Sequence, residues 1–121
     1  MSEDYDWLDE EGYPTDAALE RIEAWEVTSR ADFDNLMDFI RDLWWMSQWG
    51  FIVGPDRRFY TLITGGWSGN ESIIQALDDN RMFTVFYWVL SERGGKFVYA
   101  YEPYKLDIDT TITSWEETCE E

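Results

Sequence analysis

Phe33, Leu36, Met37, Ile40, Leu43 and Trp44 fall at i, i+3, i+4, i+7, i+10 and i+11. That spacing lines one face of an α-helix and fits no strand. It predicts a helix from about Ala31 to Gln48 that stops before Gly50. Ser29 with Asp32 resembles a capping box at its start, with Asp in place of the usual Glu. A shorter helix precedes it. Pro14 and Thr15/Asp16 read as its start, and Leu19, Ile22 and Trp25 carry helical spacing to about Val27. A chain that opens with two amphipathic helices needs an apolar surface for both to cover.

The pattern then changes. Trp49–Val53 is short and apolar, Gly54-Pro55-Asp56 is a turn, and Phe59–Thr64 is rich in strand formers, which predicts a hairpin. Gly65 to Gly69 is a loop that needs positive φ. Ser68 with Glu71 matches S-x-x-E, and Ile73, Ile74 and Leu77 give a short helix its stripe. Met82–Ser91 is a β-branched and aromatic run, apolar on both alternating faces, and reads as a central strand. Gly94-Gly95 turns it into a strand over Lys96–Tyr101 that Pro103 ends. Residues 104–112 alternate weakly and suggest an edge strand, which leaves a homodimer open. The order is α-α-β-β-α-β-β. Grouped rather than alternating elements mean α+β: two N-terminal helices on a mainly antiparallel four-stranded sheet with one inserted short helix. At 121 residues this is a single domain, 1–121, with an acidic arm, 1–14, and an acidic C-terminal tail, 107–121.

Charge bounds what such a domain can bind. The net charge is −17, and it is uneven. Residues 1–47 hold 14 acids against 3 bases, residues 48–106 are balanced, and residues 107–121 hold 6 acids and no base. The excess exceeds the roughly 2–8 net charges that solubility asks of a small domain. Such a field repels nucleic acid and anionic membranes and attracts basic surfaces. With 45% apolar residues and 8 Trp, the chain is no disordered acidic tail. No apolar run approaches the ~18 residues of a membrane span. The acidic start is the reverse of a signal peptide, and the single Cys119 suits a reducing cytoplasm. The expected location is cytoplasmic.

Catalysis finds little to work with. The sequence has no histidine, the commonest general base and metal ligand, and Cys119 sits among glutamates that raise a thiol's pKa. The Gly65–Gly69 loop lacks the Lys and Ser/Thr of a phosphate-binding P-loop. Asp78 with Asp79, or Asp107 with Asp109, lack EF-hand spacing. The expectation is a non-enzyme with no cofactor and no metal. The acids instead form rows. Asp16, Glu20 and Glu23 share a face of the first helix. Asp34, Asp38 and Asp42 lie within about 80° of each other on the second, about 6 Å apart along its axis and roughly opposite its apolar stripe. These six, with Asp9, Glu10 and Glu11 of the arm, are the candidate partner-binding residues. Trp67, in the glycine-rich loop, is the candidate aromatic anchor, with a core-filling role as its alternative.

Several segments carry a resemblance. Gly65–Asn70 with Glu71-Ser72-Ile73-Ile74-Gln75-Ala76-Leu77, then Asn80-Arg81-Met82-Phe83, Arg93-Gly94-Gly95, the opening Gly12-Tyr13-Pro14-Thr15 and the helix Ala18–Trp25 resemble small proteins encoded by bacteriophages and prophages. The resemblance spans roughly residues 12–100. That group has no assigned activity, so it implies context and no catalytic residues. In size and charge alone the chain is similar to phage inhibitors that mimic DNA, of the anti-restriction and anti-CRISPR kind. The leading expectation is a phage-type inhibitor of a host nucleic-acid-binding defence complex, a CRISPR effector or restriction enzyme. Its partner is a basic protein and not nucleic acid or membrane. The alternatives are an acidic immunity protein or antitoxin against a basic toxin, and a small-molecule-binding or accessory phage protein.

Overall fold

The computed structural model describes residues 7–105. Helix α1 (Asp16–Glu23) starts where Thr15 Oγ1 accepts from the Ala18 amide, and buries Ala18 and Ile22 against α4 (Ser68–Asp79). Helix α2 (Arg30–Leu43) is capped by Ser29, whose hydroxyl accepts from the Asp32 amide, and buries Phe33, Leu36, Met37, Ile40 and Leu43. Each such side chain contributes roughly 1.5–3 kcal/mol by leaving water. The Asp32 carboxylate reaches one residue further back than a capping box requires. It accepts from the amide and hydroxyl of Thr28, which hold its pKa below the usual carboxylate value.

A single-turn helix, α3 (Ser47–Gly50), leads into β1 (Phe51–Val53), which pairs with β2 (Tyr60–Ile63). After α4 the chain enters α5 (Arg81–Tyr87) and then β3 (Trp88–Glu92) and β4 (Lys96–Tyr99). The sheet order is β1-β2-β4-β3, antiparallel throughout. The α+β architecture is therefore as expected. Both hairpins form, and Gly94 and Gly95 take φ of +88° and +84° in the second turn.

One face of the sheet meets the helices. Phe51, Tyr60, Leu62 and Tyr99 join the main core. Phe33 sits at its centre, with ring centroids 5.3–5.9 Å from Tyr60, Phe83, Tyr87 and Tyr101. A smaller cluster, Phe59, Leu90, Val98 and Ala100, gathers alternate residues.

Five expectations change. Residues 82–91 are not one central strand. Residues 81–87 are helical because the Asn80 side chain caps Phe83 and Thr84 Oγ1 donates to the Leu77 carbonyl, and β3 is an edge strand. Helix α1 ends at Glu23, not Val27, where Trp25 N–H bonds back to Ile22. Helix α2 ends at Leu43, since Trp44 is extended and Met46 takes φ of +59°, so Trp49 is helical rather than the start of a strand. Ser68 makes no cap: Trp67 precedes α4 without a side-chain bond. Finally, residues 7–14 of the acidic arm are folded. Leu8 bridges Pro14, and Trp7 packs edge-on to Phe39 at 5.1 Å. Residues 103–105 form a short 3-10 helix. The remainder of the expected edge strand, and the 107–121 tail, lie outside the described residues.

Candidate partner-binding surface

The acidic residues divide into two groups by what holds them. On α1, Asp16, Glu20 and Glu23 are all exposed. The helix's own cation, Arg21, lies over the Trp25 ring at 4.1 Å, an attraction between guanidinium and π-face. The residues 9–11 stand at the N-terminal end of this helix. Asp9 organises them: its Oδ1 accepts from the amides of Glu11 and Tyr13, both at 2.9 Å. Gly12 completes the turn at φ +88°. Glu10 and Glu11 project into solvent beside a shallow depression of about 610 Å³ that Leu8 and Thr15 also line.

The α2 row is built differently. Asp34 Oδ1 accepts from the Tyr60 hydroxyl at 2.8 Å, and its Oδ2 lies 3.8 Å from Arg30 Nε. Asp38 accepts from Arg57 at 2.7 Å and lies 3.6 Å from Arg41. Arg30 also donates to the carbonyls of Asp56 and Arg57. These bonds clasp the β1–β2 turn, whose Asp56 and Arg57 both take φ of +56°. Asp34 and Asp38 are thus half-buried structural carboxylates, while Asp42 is exposed. The electrostatic consequences follow. Burial, and then the bond to Asp34, push the Tyr60 phenol well above its ordinary value. The Asp38 carboxylate raises the Arg57 guanidinium.

Trp67 is neither a free anchor nor a core residue. It is half-buried in a ladder, 4.7 Å from Tyr13 and 5.4 Å from Trp45. Trp45 and Trp49 beside it are 48% and 56% exposed.

Two buried asparagines, which the sequence reading did not single out, hold these parts together. Asn70 accepts from the Trp45 amide and donates to the carbonyls of Trp45 and Thr64. Asn80 donates to the carbonyls of Ile22 at 3.0 Å and Trp25 at 2.8 Å while accepting from Phe83 N–H at 3.2 Å. Their pattern signal was weak: an Asn before an apolar run is a helix N-cap type, but its distant partners are silent in the sequence.

Among the described residues no three His, Cys, Asp or Glu side chains converge as a metal site would need, and no helix is long and apolar enough to cross a membrane. Comparison with protein-family models, curated proteins and solved structures gives no significant match. The functional reading therefore rests on the surface itself.

Proposed function

We propose that this protein acts by binding, as a phage-type inhibitor whose carboxylates occupy the nucleic-acid-binding surface of a host defence complex such as a CRISPR effector or a restriction enzyme. The observation that carries the reading is the contrast between the two helices. The α2 carboxylates are half consumed by arginines, whereas Asp16, Glu20 and Glu23 stand exposed while Arg21 is drawn onto Trp25. From Asp16 to Glu23 the helix rises roughly 10 Å. A DNA duplex of that length carries about six charges. Helix α1 alone supplies half that density, and Glu10 and Glu11 add to it at one end. Close charge pairs at such an interface are worth several kcal/mol, and the field speeds encounter.

The test is capture of purified basic nucleic-acid-binding complexes by the wild type and by the Glu20→Lys/Glu23→Lys variant, at low and high salt. The expected result is a defined complex that competes with nucleic acid, weakens steeply with salt and is lost in the variant. Both substitutions fall on exposed positions, so folding stability stays within about 0.5 kcal/mol of wild type. Equal capture by the reversed variant overturns the reading. Capture of a basic toxin in place of a defence complex keeps the surface and reassigns the protein as an immunity protein.

A further inference from the structure

Helix α5 carries apolar side chains around most of its circumference, with Arg81 and Thr84 as its polar residues, but faces the core on only one side. Phe83 is 1% exposed, whereas Met82, Val85 and Phe86, at i, i+3 and i+4, are 66%, 72% and 54% exposed. An exposed apolar ridge of this kind marks a binding surface more often than chance. Beside it runs an open groove of about 720 Å³, with Trp25 and Val27 on one side and Met82 and Phe86 on the other. Glu23, Glu26 and Asp79 also line it, against Arg81 as its one cation.

From this arrangement we infer that the groove and the α5 ridge together dock a cationic amphipathic helix of a partner protein. A small ligand would fill the groove and leave the ridge's most exposed side chain, Val85, uncovered, because Val85 stands outside the groove lining. An occupant covering both must be a polypeptide segment. The walls are a helix and a loop, and the edge strand β3 contributes no residue to the lining, so the fitting mode is helix in groove, with apolar anchors at i, i+3 or i+4, and i+7. Charge selects the occupant. Three lining carboxylates against Arg81, and against the Arg21 guanidinium held on the Trp25 ring, still leave a negative balance that favours lysine and arginine on the incoming helix. A second copy brings net charge −17, and residues 107–121 of this chain bring six acids and no base; both are repelled. The groove shares Glu23 with the α1 row, but the apolar ridge lies outside that row, so Val85→Asp and Phe86→Asp test this inference separately from the proposed inhibitor role, and it holds whatever protein supplies the helix.

The test is fluorescence anisotropy with the full chain and a labelled synthetic Leu/Lys amphipathic helix roughly four turns long. Two control peptides are used: the same composition shuffled, and a Leu/Glu version. The Leu/Lys helix should bind at least about tenfold more tightly than either control. Phe86→Asp and Val85→Asp should each weaken it about tenfold, a difference of one decade in Kd. An added aspartate strengthens non-specific attraction to a cationic peptide, so a loss there reads the apolar contact itself. Trp49→Ala, exposed elsewhere, should leave the affinity unchanged, and Glu26→Lys/Asp79→Lys should weaken it and flatten its salt dependence. Binding that survives Phe86→Asp overturns the inference. So does a dimer in sedimentation that Val85→Asp dissolves, which makes a second copy the occupant. A tenfold tighter grip in a Leu106→Asp/Ile108→Asp variant overturns it too, by identifying the chain's own segment in the groove.

Discussion

Replacing Asn80 with alanine removes three hydrogen bonds that tie α1, the segment after it and α5 to one buried amide. The loss of the cap on Phe83 N–H costs about 1 kcal/mol. The two carbonyls behave differently. Ile22 keeps its second partner, the Trp25 amide at 3.2 Å. The Trp25 carbonyl, part-buried, keeps no other bond among the described residues, and losing the partner of such a group costs up to about 1–3 kcal/mol. The total is about 2–4 kcal/mol, a large share of a small domain's stability. It should appear in urea unfolding as a lower midpoint with an unchanged slope, and as a Tm roughly 10–15 °C lower. The informative control is Asn80→Asp. Aspartate is an equally good cap and keeps the acceptor for Phe83, but it sets a carboxylate oxygen against the carbonyls of Ile22 and Trp25. If the clamp carries the stability, Asn80→Asp is at least as damaging as Asn80→Ala. A variant Asn80→Asp within about 0.5 kcal/mol of wild type would refute the reasoning and leave Asn80 as a simple cap.

Three further outcomes are expected. Asp38→Asn or Arg57→Met should cost only about 0.5–1 kcal/mol, less at high salt, because the two half-buried side chains still keep 40% and 38% of their surface in solvent; urea unfolding at two ionic strengths checks this. Gly95→Ala should cost about 2–4 kcal/mol, since a new Cβ meets the Thr64 hydroxyl at φ +84°, whereas Gly66→Ala, at φ +78° with nothing within 4 Å, should cost about 1–2 kcal/mol. The third concerns alkali. Burial and the Asp34 bond raise the Tyr60 pKa, so the fold prefers the neutral phenol. That contribution is whole below the unfolded value of about 10 and is lost as pH rises through the folded value. Stability measured across this range should fall, and Tyr60→Phe should make the fall shallower.

The parts of the fold legible in the sequence are those that local periodicity and turn chemistry dictate. The α2 stripe repeats for three turns, and its buried residues are the ones that repeat. Thr15 and Ser29 cap by contacts three residues away, and Gly94-Gly95 needs the positive φ it adopts. Residues 82–87 misread because β-branched and aromatic content measures fit to a half-buried surface, not a backbone preference. Here the deciding bonds come from the Asn80 amide, whose carbonyl partners lie 58 and 55 residues back. The same distance effect governs the carboxylates. The spacing of Asp34, Asp38 and Asp42 on one face was readable, but the Arg57 and Tyr60 that claim the first two arrive from a hairpin 19 and 26 positions on. Trp67 fell between its two expected roles for a similar reason, since its neighbours in the ladder come from residues 13 and 45.

The ladder has a consequence for how the nascent chain matures. Tyr13 is synthesised before both indoles of the ladder, and Trp67, the middle rung on which it leans, leaves the ribosome more than fifty residues later. The turn over residues 7–15 therefore emerges early and locks late, once the β2–α4 junction has delivered its ring. Until then the Tyr13 ring travels without the indole it stacks on. The segment's dense carboxylates keep it hydrated through that interval, so the charge that marks this end of the molecule also guards it against premature sticking.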